Sequence, residues 1–206
     1  MSPPEEEAMS RIPMLAPEDL DDDQRRAFES ITRGPRGGAG RAALVDDRGA
    51  LLGPFNAMVT APTVGEPLQA LGAAIRYRTG LPSRARELAI LTVAAHHRSD
   101  FEWEVHIRDG RAAGLTDTEL AAALHGDPAA LTDPTERVVL RTTRAMLRTG
   151  DLTDDEYTTA VEAIGEATLV ELTTLVGYYA LLALQLRVFR VPARVTGPWT
   201  AQTTED

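Results

Sequence analysis

Three helix-opening signals punctuate the second half of this chain: Thr116-Asp-Thr-Glu119, Asp133-Pro-Thr-Glu136 and Thr153-Asp-Asp-Glu156. In each, a small oxygen-bearing side chain can cap an unpaired backbone N–H while the glutamate three residues on reaches back. Pro134 takes the first helical position, where its missing N–H costs nothing. A chain punctuated this way folds into short helices joined by tight turns. Composition agrees, since aromatics are only 5% and Ala and Leu dominate, with short β-branched runs. The reading is all-α, and no strand is needed.

Helix patterns place a first helix over 17–33 and a flexible break at the glycine-rich 34–40. The stretch ending in Leu51-Leu-Gly-Pro-Phe-Asn56 reads as an extended loop, and 66–79 as a second helix near Pro62 and Pro67. Ser83 is a plausible N-cap for a third helix reaching about His97. A fourth runs from about Ser99 to Ala113 and stops at Gly114. The three capped helices follow, then an apolar one over about 168–187. The expected organisation is a flexible segment 1–16, one helical domain 17–192 and a polar tail 193–206.

Charge and cysteine content exclude several functions. The net charge is −10, and every base is arginine. Nucleic acid needs a basic stripe and is not the expected partner. Without cysteine there are no disulfides, thiolate metal sites or sulfur nucleophiles. The acidic start MSPPEEEAMS lacks the apolar core of a signal peptide. Val176–Leu186, the longest apolar run, is too short to cross a bilayer. A cytoplasmic protein acting on a small molecule is expected, with no membrane partner.

Titratable groups concentrate in two neighbouring helices. Glu87 is followed by Ile90, Leu91 and Ala94, so it lies on or beside an apolar stripe. There it is either a buried carboxyl pushed toward neutral pKa, suited to acid/base work, or a helix-start carboxylate with a solvated head. Glu102 and His106 are four apart and share a helix face. They form either a proton-transfer dyad or an exposed ion pair. Phe101 and Trp103 flank Glu102. A metal site is not expected, because no HExxH or paired-His spacing supplies the ligand count.

Leu81-Pro-Ser-Arg-Ala-Arg-Glu-Leu-Ala-Ile-Leu91, Phe101-Glu-Trp-Glu-Val-His106 and Arg111-Ala-Ala-Gly-Leu-Thr116 together resemble carboxymuconolactone decarboxylase-like proteins. Gly53-Pro-Phe-Asn56 and Glu171–Tyr179 extend the likeness to about 50–192. The resemblance implies a helical bundle of the carboxymuconolactone decarboxylase / alkylhydroperoxidase D-like type, assembled as trimer, hexamer or dimer. In the alkylhydroperoxidase D pattern of glutamate, CxxC and histidine, Glu87 and His106 match, but Ser99 and Glu102 replace both cysteines. Dithiol peroxide reduction is therefore impossible here. What the resemblance implies instead is cofactor-free acid/base chemistry at His106, Glu102 and Glu87. The implied substrate is a small carboxylated lactone or β-keto acid, contacted by Trp103, Arg84, Arg86, Asn56, Phe55 and Arg76. A natural-product cyclase and a non-catalytic protein with a decayed site are the alternatives.

Overall fold

A computed structural model of the chain describes residues 10–35, 37 and 44–199. The expectations for 1–9, 200–206 and most of 34–40 lie outside those residues. Among the described residues the secondary structure is helical, apart from one isolated antiparallel bridge between Val45 and Leu51. The residues cluster into two compact units, 1–79 with 184–192 and 80–183 with 193–206.

The first unit holds α1 (Asp22–Thr32), α2 (Pro54–Thr60) and α3 (Pro62–Tyr77). Helix α1 begins later than its sequence pattern, because Asp21 caps it in a capping box with Gln24 and leaves only a 3-10 turn at Pro17–Asp19. The expected loop through Asn56 is also corrected. Its end already belongs to α2, which Pro54 opens, and Pro62 opens α3 in the same manner. Pro67 thus lies well inside α3 rather than at its start. The two helices nearly touch at Gly65, where an added Cβ would sit 1.9 Å from the Met58 carbonyl oxygen. Phe28, Ile31, Met58, Val59 and Ile75 are buried.

The second unit is built around α4 (Ser83–His97). Ser83 is its first residue and not its cap; Pro82 holds the cap position without a side-chain bond. Helix α4 is buried on nearly every side, so its sequence carries little amphipathic contrast. It packs on α5 (Asp100–Ala112), α6 (Asp117–His125) and α7 (Pro134–Thr149), with α8 (Asp154–Ile164) against α7. Leu88, Leu91, Trp103, Leu120, Leu131 and Leu140 are buried in its core. Both capping boxes, at Thr116/Glu119 and Thr153/Glu156, form, and Asp133 caps α7. Irregular residues after 192 run beside α5: Arg194 N–H donates to Glu104, and Gly197 N–H and the Trp199 indole donate to Asp100.

Helix α9 (Glu166–Val188) is unbroken for 23 residues. By length and composition it could cross a membrane, and 44% of its most apolar window is buried within the protein. Leu169, Leu172, Leu175, Tyr179 and Ala183 form its buried stripe.

Candidate active site

Helices α4 and α5 lie side by side, joined by the tight connection Arg98-Ser99, where Arg98 takes a left-handed conformation (φ 50°). This turn brings the middle of α5 against the first half of α4. Across that contact His106 Nδ1 and Glu87 Oε2 are 2.7 Å apart, with side chains 6% and 2% exposed. That is the length of a charge-assisted hydrogen bond sharing one proton. An ionised Glu87 holds the proton on Nδ1, which leaves Nε2 as the basic nitrogen. Nε2 makes no hydrogen bond within the described residues. The Tyr179 ring meets the imidazole edge-on at 5.1 Å between centroids. Arg86 Nε lies 3.5 Å from the other Glu87 oxygen.

Glu102 corrects the expected dyad. It shares a helix with His106, yet neither of its oxygens has a hydrogen-bond partner. Side chains on a helix lean toward its N-terminus. Glu102 lies beside Ser99, while His106 reaches across to α4. Burial drives the Glu102 carboxyl up to about 8, opposed by the neighbouring Ser99 hydroxyl. At neutral pH Glu102 is predominantly protonated. The two glutamates thus differ in kind: Glu87 is bonded to His106 and lies beside Arg86, and neither Glu102 oxygen has a hydrogen-bond partner.

Other expected contact residues have structural duties. Arg84 binds Glu136 through Nε (2.7 Å) and Glu119 through Nη2 (2.6 Å), and donates to the Gly114 carbonyl. It ties α4 to α6 and α7 and is not available to a substrate. Trp103 is buried in the core against Trp199, with ring centroids 5.5 Å apart. Asn56, in the first unit, donates to the Pro13 carbonyl and accepts from Leu15 N–H. Phe55 and Arg76 also belong to that unit.

The sequence reading passed over Asp109. It stands one turn beyond His106, and Glu87, His106 and Asp109 bring ligand atoms within 4.8 Å of one another. Such a set of one nitrogen and two oxygens could meet a divalent cation. However, a metal about 2.1 Å from both His106 and Glu87 would hold their atoms about 3 Å apart at right angles. The observed 2.7 Å fits a shared proton better. The i,i+3 spacing of His106 and Asp109 was the available signal. Nothing local in the sequence marks Tyr179, which arrives from a distant helix.

The sequence pattern of the carboxymuconolactone decarboxylase family matches residues 62–145, which contain Glu87, Glu102 and His106. Over that segment, about two fifths of the chain, the protein is similar to the carboxymuconolactone decarboxylase family. Solved structures share its fold. An alkylhydroperoxidase AhpD core, an uncharacterized peroxidase-related protein from Ralstonia eutropha JMP134, superposes with TM-score 0.70 at 13% identity, covering 89% of this chain and 91% of that one. An uncharacterized peroxidase-related protein from Silicibacter sp. TM1040 gives 0.69 at 14% identity, covering 93% and 94%. A protein of unknown function from Agrobacterium tumefaciens gives 0.61 at 19% identity, covering 68% and 97%. No curated protein matches significantly. Against the alkylhydroperoxidase D pattern, this sequence keeps the glutamate and histidine and lacks both cysteines.

Proposed function

We propose that this protein is a cofactor-independent acid/base enzyme, a lyase or isomerase acting on a small carboxylated lactone or β-keto acid. The buried 2.7 Å contact between His106 and Glu87 carries the reading. Glu87 orients the imidazole and fixes its proton on Nδ1, so that Nε2 takes a proton from an activated C–H or returns one to carbon. Glu102, kept protonated by burial, supplies a proton to the oxygen on which negative charge develops. In a decarboxylation the bond to the carboxyl carbon breaks, its electron pair enters the conjugated carbonyl, and carbon is then reprotonated.

Arg86 favours an acid substrate. Its Nε is buried without a hydrogen bond beside Glu87, whereas Arg84 is fully engaged. A cyclase on the same fold would use the same polarising pair but needs no carboxylate anchor, so Arg86 supports the decarboxylase-like reading over it.

The test is a panel of carboxylated lactones and β-keto acids, followed for carbon dioxide release and double-bond migration. For a turned-over substrate, His106→Ala and Glu87→Gln should each lower kcat/KM by about 10²–10⁴-fold. Arg86→Ala should act mainly on KM. Wild-type rates in both His106→Ala and Glu87→Gln would remove the proposal. Turnover without carbon dioxide would shift it to isomerisation or cyclisation.

A further inference from the structure

A cavity of about 430 Å³ opens between α7 and α8 beside the end of α6, wholly within the second unit. Val138, Arg141, Thr142, Arg144 and Arg148 line it from α7, and Thr159 lines it from α8. It shares no residue with the Glu87–His106 site. Arg141, Arg144 and Arg148 follow one another at steps of three and four, so they occupy one face of the helix. In a chain of net charge −10, three cations on one wall of a hollow reverse the local sign.

The neighbouring acids leave most of this wall unmatched. Asp155 and Glu156, in the first turn of α8, line the same cavity. Glu156 spends Oε2 on the Thr153 backbone N–H and hydroxyl, and its Oε1 lies 4.0 Å from Arg148, the outer limit of an ion pair. Among the described residues, Arg141 and Arg144 have no carboxylate partner. Arg144 is nevertheless fixed in place. Its Nη1 donates to the His125 and Gly126 carbonyls at the end of α6. Gly126 is left-handed at φ 67°, and the Arg144 guanidinium fills the space that a Cβ there would take. Nε and Nη2 of that guanidinium remain unspent among the described residues. Thr142 lines the cavity at only 4% exposure, and its hydroxyl has no hydrogen-bond partner among the described residues. A hydroxyl so enclosed takes its partner from the cavity.

We infer that this cavity binds a small organic anion. A carboxylate or phosphate head is held by Arg141, Arg144 and Thr142, and an apolar body lies along Val138. Guanidiniums offer paired N–H donors that match the oxygens of such a head. Asp155 and Glu156 repel further negative charge, so a ligand with one anionic group fits and a polyphosphate does not. The volume suits a small molecule.

Titration of the isotope-labelled full chain with hexanoate and with hexyl phosphate, followed by NMR of backbone amides and arginine Nε–H groups, tests this. At least one of the two should shift Thr142, Thr159 and the Nε–H of Arg141 and Arg144 saturably, with Kd on the order of 1 mM for a ligand this small. Tighter binding of hexanoate identifies a carboxylate ligand, and tighter binding of hexyl phosphate a phosphate ester. Hexanol carries the body without the head, and inorganic phosphate the head without the body. Both should bind roughly tenfold more weakly or not at all. Arg141 is exposed and unpaired among the described residues, so Arg141→Ala should fold as wild type and weaken the anion about fivefold or more. Arg111→Ala, which removes a surface partner of Asp117, should leave binding unchanged. Shifts that do not saturate, inorganic phosphate or hexanol binding as tightly as the organic anion, affinity unchanged in Arg141→Ala, or shifts centred on Glu87 and His106 instead would overturn the inference.

Discussion

Glu102 is 3% exposed, neither of its oxygens has a hydrogen-bond partner, and burial pushes its carboxyl up to about 8. Its folded-state pKa lies above the unfolded one, so the folded protein binds this proton more tightly. Between about pH 4.5 and 8 the unfolded state loses the proton first, and each step up in pH lowers stability. The whole effect is on the order of a few kcal/mol. Glu102→Gln should remove that slope, gaining about 2–4 kcal/mol near pH 8.5 and almost nothing at pH 4, as read from urea unfolding at both pH values. If wild type and variant show the same pH dependence, Glu102 is not the buried acid described here. In turnover, loss of this proton should give an alkaline limb near pH 8 that Glu102→Gln lacks. Residue types and their chemistry were legible in the sequence at this scale, but the pairing was not. Spacing alone put Glu102 with His106, because i,i+4 reports a shared face and not the lean of two side chains. Glu87 lies on another helix, and no local pattern predicts which of two glutamates an imidazole reaches.

Helix α4 owes its place to Arg84 as much as to its apolar residues. The guanidinium closes on Glu119, Glu136 and the Gly114 carbonyl, joining three helices and the end of a fourth. Glu119 is held below the usual carboxylate range, chiefly by the Thr116 backbone N–H and then by Arg84. Its folded pKa is depressed, so its contribution is present above pH 4.5 and is lost as pH falls through the folded value. Arg84→Ala would leave two carboxylates buried without a cation. A loss of about 3 kcal/mol is expected, at the low end for a broken buried pair because Arg84 keeps 30% of its side chain in water. Equilibrium unfolding at pH 7 measures it, and a change under about 0.5 kcal/mol would reduce the network to surface decoration. The capped helices α6, α7 and α8 were legible because their signals are local. The α2 and α3 starts were not, because a proline at the first helical position and a proline ending a loop look alike until the backbone is seen.

At the scale of the whole molecule, the helix class and the likeness to the carboxymuconolactone decarboxylase family were both readable from the sequence. The caps, the shortness of the β-branched runs and the Leu81–Leu91 and Phe101–His106 motifs agree with one another. The clustering of residues into two units was not readable, since α9 passes from one to the other without a break. Nor was the outer face of α9, because the 3.6-residue period shows that a helix is apolar but not which of two stripes meets the interior. The absence of cysteine has its own consequence. Incubation with millimolar hydrogen peroxide or iodoacetamide should leave Glu102 and His106 unmodified by peptide mass spectrometry, with added oxygen confined largely to methionine. Oxygen or alkyl on either group would contradict this.

Where the peroxidase pattern of the superfamily sets a sulfur, this chain sets the Glu102 carboxyl, one helical turn before an imidazole. Sulfur must be handed electrons after each cycle by some other protein. A carboxyl and an imidazole exchange protons with water and take up no electrons, so the proposed acid/base centre would need no dedicated electron donor.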